Sequence, residues 1–196
     1  MSGFWVSEEA WESVQSKVDP IAIRGRPCWL SSIDKTFVAE VKRLCAEHQV
    51  RFLAFDAAMI NDFETACEEI GFPVWRWGGV NSPAGRGLKL VSHAQGKRIL
   101  FEDRQLCMPR SIERLEDAIL NGTITIDSSP ATYSCAANAQ IDSDGQGNRC
   151  FDKKRSRGRI DGVVTLAMAI GAATVIEPED AGAAFSRIIM ARGGFV

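Results

Sequence analysis

At 196 residues, with 45% hydrophobic and 24% charged side chains, the chain can bury one sizeable core but is too short for two full domains. A formal net charge of -2 excludes a protein that coats nucleic acid over its whole surface, while leaving room for a local basic groove. The six scattered cysteines form no C-x-x-C pair, and no signal peptide or long apolar span is visible, so the expectation is a reduced, soluble, cytoplasmic protein without a cysteine metal site.

Ser7 is a good N-cap, and Glu8 and Glu9 suit a first helical turn, which predicts a short helix to about Val18, broken at Asp19-Pro20. Phe37, Val38, Val41, Leu44 and Cys45 then recur at helical spacing, with Asp34 as N-cap. Val50 to Phe55 reads as a buried strand ending at Asp56. Ile60, Phe63, Cys67 and Ile70 form the apolar stripe of a second helix, which stops at Gly71. Pro73 to Trp77 reads as another strand. This strand, helix, strand order predicts two adjacent parallel strands joined by a crossover helix. Cys45 and Cys67 lie on the apolar stripes, where a free thiol acts as a small hydrophobe.

The glycine-rich stretch from Gly78 to Met108 reads as a long loop, with a short strand at Arg98 to Phe101. Pro109 opens a helix bearing Ile112, Leu115 and Ile119 and ending at Asn121-Gly122. Thr123 to Ile126 is β-prone. Asp144 to Asn148 predicts a hairpin turn between Ala139–Ile141 and Cys150–Phe151. Ile160 to Ala173 is apolar enough to be a buried helix, and a last short helix is expected at Ala183 to Met190 within the tail 177–196.

Two features carry chemistry. Asp56 sits at the carboxyl end of an apolar strand, where α/β sheets bind ligands; the alternative is a cap for the next helix. The second is the run from Arg149 to Arg159, with Arg149, Lys153, Lys154, Arg155, Arg157 and Arg159 set against the single acid Asp152. Such a run is ordinarily a solvated loop and by itself argues weakly for nucleic acid. It leads into Asp161, a carboxylate in the first turn of the apolar helix. The helix dipole alone favours an acid there, but an acid beside a phosphate-attracting loop also suits a metal shared with a phosphodiester.

Arg157-Gly-Arg-Ile-Asp161-Gly-Val-Val-Thr-Leu-Ala-Met-Ala169 resembles the final G-[KR]-I-D-G-[IV]-V-A-L-x-M-A motif of tailed-phage terminase large-subunit nuclease domains. In the same order, Phe4 to Glu9 resembles that family's F-W-[LV]-P-E-E segment, and Val50 to Asp56 its strand ending in aspartate. Leu106 to Gly122 resembles its helix before a short strand, Asp144 to Asp152 its D-x-x-G-N hairpin, and Lys153-Lys154 the lysines after it.

The resemblance implies an α/β, ribonuclease H-like mixed sheet flanked by helices, forming a single partial nuclease domain over 1–196. It implies a viral DNA-packaging endonuclease that cuts concatemeric double-stranded DNA with two divalent ions, Mg2+ or Mn2+, roughly 3.5–4 Å apart. Asp56 and Asp161 are then catalytic and metal-ligating, and Arg149, Lys153, Lys154, Arg155, Arg157 and Arg159 contact phosphates. Implied partners are an ATPase domain or the missing N-terminal segment, a portal protein and a small terminase subunit, at the procapsid in the host cytoplasm and away from membranes.

The family's first acid lies on a G-L-D-L-S-like strand that has no counterpart here, and no G-x-x-x-x-G-K-[ST] occurs. The expectation is therefore a sheet lacking its first antiparallel strands, with weak or no cleavage by the chain alone. Asp127, Asp142 and Asp144 are candidates for a third carboxylate. His93 reads as a surface histidine, with a ligand role as the alternative. Competing functions are a catalytically silent DNA-binding or portal-docking module and an unrelated ribonuclease H-like enzyme such as a transposase.

Overall fold

The computed structural model describes residues 4–6, 28–30, 35–57, 60–77, 85–99, 106–126 and 130–176. Strands β1 (Phe4–Val6) and β2 (Cys28–Leu30) pair in parallel as a separate ribbon. Helix α1 (Lys35–His48), strand β3 (Phe52–Phe55), helix α2 (Ile60–Glu69) and strand β4 (Val74–Trp77) follow with the tight links expected from the periodicity. Strand β5 (Leu88–Ser92) precedes α3 (Met108–Leu120), α4 (Pro130–Asn138), the hairpin strands β6 (Ile141–Ser143) and β7 (Arg149–Phe151), and α5 (Asp161–Ile176).

The central sheet is parallel, in the order β3-β5-β4. Here the sequence expectation needs correcting. The strands ending at Phe55 and Trp77 are parallel but not adjacent, because β5 lies between them. That strand falls inside the stretch expected to be loop, whereas Arg98 and Ile99 lie in no strand. The glycines responsible for the misreading have a structural use. Gly87 has φ +95°, and a Cβ there would stand 1.9 Å from the Pro73 carbonyl oxygen. The same carbonyl accepts the Leu88 N–H at 3.0 Å, so Gly87 lets β5 start tight against the entry to β4.

Alternation along the strands divides the core. On one face, Leu88 and Leu90 of β5 join Val38 of α1 and Ile60, Phe63, Ala66 and Cys67 of α2, with Leu53 and Phe55 of β3 packed against them. Cys67 is fully buried and Cys45 half-buried, as their stripe positions predict. On the other face, Val91 meets Leu106 and Ala172, flanked by Phe52, Ala54 and Trp77. Beyond it α3 and α5 pack together through Met108, Ile112, Leu115, Ile160, Val164, Ala167, Met168 and Ile170. The expected buried helix from Ile160 is thus realised, and it packs on the sheet.

Helix α3 begins with Pro109 in its first turn and ends at Asn121. Thr123 to Ile126, expected to be β-prone, forms no ladder, and α4 was not legible. The hairpin forms, with its first strand two residues later than read. Asp144 Oδ1 accepts the backbone N–H groups of Gln146 and Asn148, each at 2.9 Å, fixing the turn. The helix expected from Ser7, the Asp34 cap, Asp127 and the helix at Ala183 to Met190 lie outside the described residues.

Candidate metal and phosphate site

Asp56 follows β3 directly, and its side chain is exposed. The residue before it is held by the sheet, since the Phe55 carbonyl accepts the His93 N–H at 2.9 Å. Asp161 is the first residue of α5 and is also exposed. Buried Ile160 and the carbonyl bonds from Ile160 to the N–H groups of Val163 and Val164 fix where that helix begins.

The direction of α5 relates the two acids. Met168 Sδ accepts a bond from Gln95 Nε2 at 3.4 Å, three residues past the end of β5. Ala172, one turn later, packs with Val91 inside β5. Moving along α5 from Met168 to Ala172 therefore runs from the segment after β5 back to the strand itself. Asp161 precedes Met168 by seven residues, about 10 Å along a helix axis. The N-terminus of α5 consequently lies toward the carboxyl-end side of the sheet, the side on which Asp56 leaves β3.

The six basic residues divide into two groups. Arg149 forms a two-pronged pair with Glu116 of α3, at 2.8 and 2.6 Å. Arg155 reaches Asp152 at 2.7 Å and Asp142 at 2.9 Å. Lys153 donates to Asp161 Oδ1 at 2.8 Å. The bond to Glu116 raises the pKa of Arg149, and the bond to Asp152 raises that of Arg155. Lys154, Arg157 and Arg159 are exposed, and none has an acidic partner among the described residues.

Two candidates for a third carboxylate are committed elsewhere. Asp142 is held by Lys97 and Arg155, and the Lys97 ammonium is the main cause that lowers its pKa. Asp144 builds the hairpin turn, and its bonds to Asn148 lower its pKa. Lys97, within the stretch read as a long loop, is tied to the hairpin through Asp142. His93 is not the expected surface histidine. It is buried, with Nε2 2.8 Å from Ser111 Oγ and Nδ1 3.3 Å from Gln95 Nε2.

Among the described residues, no group of three or more His, Cys, Asp or Glu side chains stands ready to hold a metal. The donor chemistry at the edge nevertheless suits a hard cation. Asp56 and Asp161 are both exposed carboxylates, and Mg2+ is commonly held by one or two carboxylates, its own waters and substrate phosphates.

No family model matches the sequence. Over 144 residues it is 32% identical to the terminase large subunit of Enterobacteria phage HK97, a stretch that is 73% of this chain and 24% of the relative. The crystal structure of the HK97 bacteriophage large terminase superposes with a TM-score of 0.64 at 28% identity, covering 86% of this chain and 32% of that one. The resemblance read from the motifs is thus borne out in sequence and in fold, including the expected ribonuclease H-like α/β class. The chain spans about a quarter of the curated relative's length and about a third of the solved chain's.

Proposed function

We propose that this relative of phage terminase large subunits serves viral DNA packaging as a metal-dependent DNA endonuclease domain, with double-stranded DNA as its substrate. What supports the reading is the course of α5. Its Met168 meets Gln95 beyond β5 and its Ala172 packs with Val91 inside it, so that its start at Asp161 lies toward the sheet side where Asp56 leaves β3. In this reading Asp56 and Asp161 hold Mg2+ or Mn2+, whose charge supplies an activated water and stabilises the leaving oxygen. The chain's own contribution is positional. The sheet fixes the backbone before Asp56, buried Ile160 fixes the start of α5, and Lys154, Arg157 and Arg159 offer exposed cations to the phosphates of DNA. An ATPase domain, a portal protein and a small terminase subunit are the proposed partners, with the procapsid in the host cytoplasm as the place of action.

The second reading, a catalytically silent DNA-binding or portal-docking module, is favoured by one specific observation. Asp142 and Asp144 are both engaged in structural bonds, so neither is poised as a third acid. A cleavage assay separates the two readings. Supercoiled plasmid is incubated with the chain and Mn2+, beside Asp161→Asn, which keeps shape and removes the charge. Mn2+-dependent nicking that disappears in Asp161→Asn supports the nuclease. Nicking that survives the substitution refutes the role of Asp161. DNA binding without nicking at any metal concentration, even after a G-L-D-L-S-type segment is restored upstream, favours the silent module.

A further inference from the structure

Among the described residues, Lys153 is the one member of the basic run whose ion-pair partner is a proposed metal-holding acid. Its backbone is held firmly. Asp152 Oδ1 accepts the N–H groups of Lys154 at 2.9 Å and Arg155 at 3.1 Å, and the Asp152 carbonyl accepts both the N–H and the hydroxyl of Ser156. The start of α5 is anchored by buried Ile160. Both ends of the Lys153–Asp161 pair are therefore fixed at the main chain, while both side chains are 60% exposed. The ammonium can leave without moving any backbone.

We propose that Lys153 is an exchangeable counter-ion: its ammonium holds the Asp161 carboxylate when no divalent cation is bound, and passes to a DNA phosphate when one arrives. This rests on the metal reading of Asp161. The charges set the order of events. With Lys153 alone, Asp161 is neutralised one to one and kept in a single orientation. A divalent cation on the same carboxylate repels the ammonium, which a phosphate of bound DNA then accepts. Arg155 cannot take this part because Asp142 and Asp152 both hold it. Lys154, Arg157 and Arg159 have no acid to leave among the described residues. Lys153 is thus a positioning residue that spares Asp161 an uncompensated charge and adds one phosphate contact only in the metal-loaded state.

An exposed pair contributes little, so the competition is mild, at most a factor of about five in cation affinity. The test is a calorimetric titration of the full chain with Mn2+, without DNA, for the natural sequence, Lys153→Gln, Lys153→Arg and Asp161→Asn. Lys153→Gln should bind Mn2+ about two- to fivefold more tightly, Lys153→Arg like the natural chain, and Asp161→Asn not at all. In the presence of Mn2+, Lys153→Gln should bind a short DNA duplex with a salt slope smaller by about one. If Lys153→Gln binds Mn2+ no more tightly while Asp161→Asn abolishes binding, the exchange is refuted and the metal site stands. Equal tightening in Lys153→Arg would also refute it, because charge would then not be the cause. If no protein in the set binds Mn2+, or if Asp161→Asn binds it unchanged, the exchange falls together with the metal role of Asp161.

Discussion

The His93 Nε2 atom lies 2.8 Å from the Ser111 hydroxyl, joining the end of β5 to the first turn of α3. Both side chains are buried, His93 at 2% exposure and Ser111 at 0%. The Gln95 amide nitrogen lies 3.3 Å from Nδ1, so both ring nitrogens have a polar partner inside this seam. Burial disfavours the charged imidazolium here, against backbone bonds at Ala94 and His93 that favour it.

This predicts a specific pH dependence of stability. Burial lowers the His93 pKa to about 4, with the nearby Arg114 guanidinium acting in the same direction. The unfolded chain, with histidine near 6.5, binds a proton that the folded chain refuses between these values. Stability from His93 is therefore fully present above about pH 6.5 and is lost as pH falls toward 4, by up to about 3 kcal/mol. Urea unfolding of the natural chain and His93→Gln across pH 4 to 7 checks this. The slope in that window should be much shallower in the variant, and equal slopes would remove His93 as its source.

Gly171 of α5 faces the same seam. A Cβ at this position would stand 1.9 Å from Ser111 Oγ and 2.8 Å from Ser111 Cβ. Alanine is ordinarily the better helix former by about 1 kcal/mol, but overpacking of a fitted core costs about 1–3 kcal/mol. Gly171→Ala should therefore lower the urea midpoint, with a net loss of up to about 2 kcal/mol. A raised midpoint would mean that the α3–α5 seam can open at no cost.

Much of this architecture was legible because the signals were local. The stripes of α1 and α2, the Pro109 start of α3, the hairpin turn at Asp144 and the apolar run of α5 all follow from periodicity and turn chemistry. The central strand β5 was not legible. Leu88 to Ser92 is short and flanked by Gly85 and Gly87, so composition signalled loop, while the reason for Gly87 is the Pro73 carbonyl of a different segment. At the candidate site, Asp56 and Asp161 were readable as strand-end and helix-start acids. The division of the basic run was not, since Glu116 and Asp142 lie in distant elements. His93 was misread for the same reason, because Ser111 is eighteen residues away.

The two candidate acids give a geometric prediction. If they share a cation cluster, their carboxylates lie within about 8 Å of each other, consistent with two ions roughly 4 Å apart. A crystal soaked in Mn2+ should show anomalous density between Asp56 and Asp161. Density on Asp161 alone, with Asp56 turned into the start of α2, would return Asp56 to a capping role and remove it from the site.

The last prediction separates the basic residues by their partners. Cations that neutralise DNA phosphates release counterions, and each such contact adds about 0.9 to the slope of log affinity against log salt. Lys154, Arg157 and Arg159 are exposed and have no acidic partner among the described residues, so they are free to make these contacts. Glutamine at any one of them should weaken duplex binding, reduce the salt slope by about one and leave the unfolding midpoint unchanged. Arg149 and Arg155 are instead bound to Glu116 and to Asp142 and Asp152. Arg149→Gln and Arg155→Gln should leave the slope intact. Arg149→Gln should lower the unfolding midpoint, because the two-pronged bond ties the hairpin to α3; a half-exposed pair of this kind contributes about 1 kcal/mol or less. Fluorescence anisotropy with a labelled duplex at several salt concentrations, run beside urea melts, reads both quantities. A slope that falls equally for all five substitutions would show that the ion pairs open on contact with DNA and that the division into two groups has no bearing on binding.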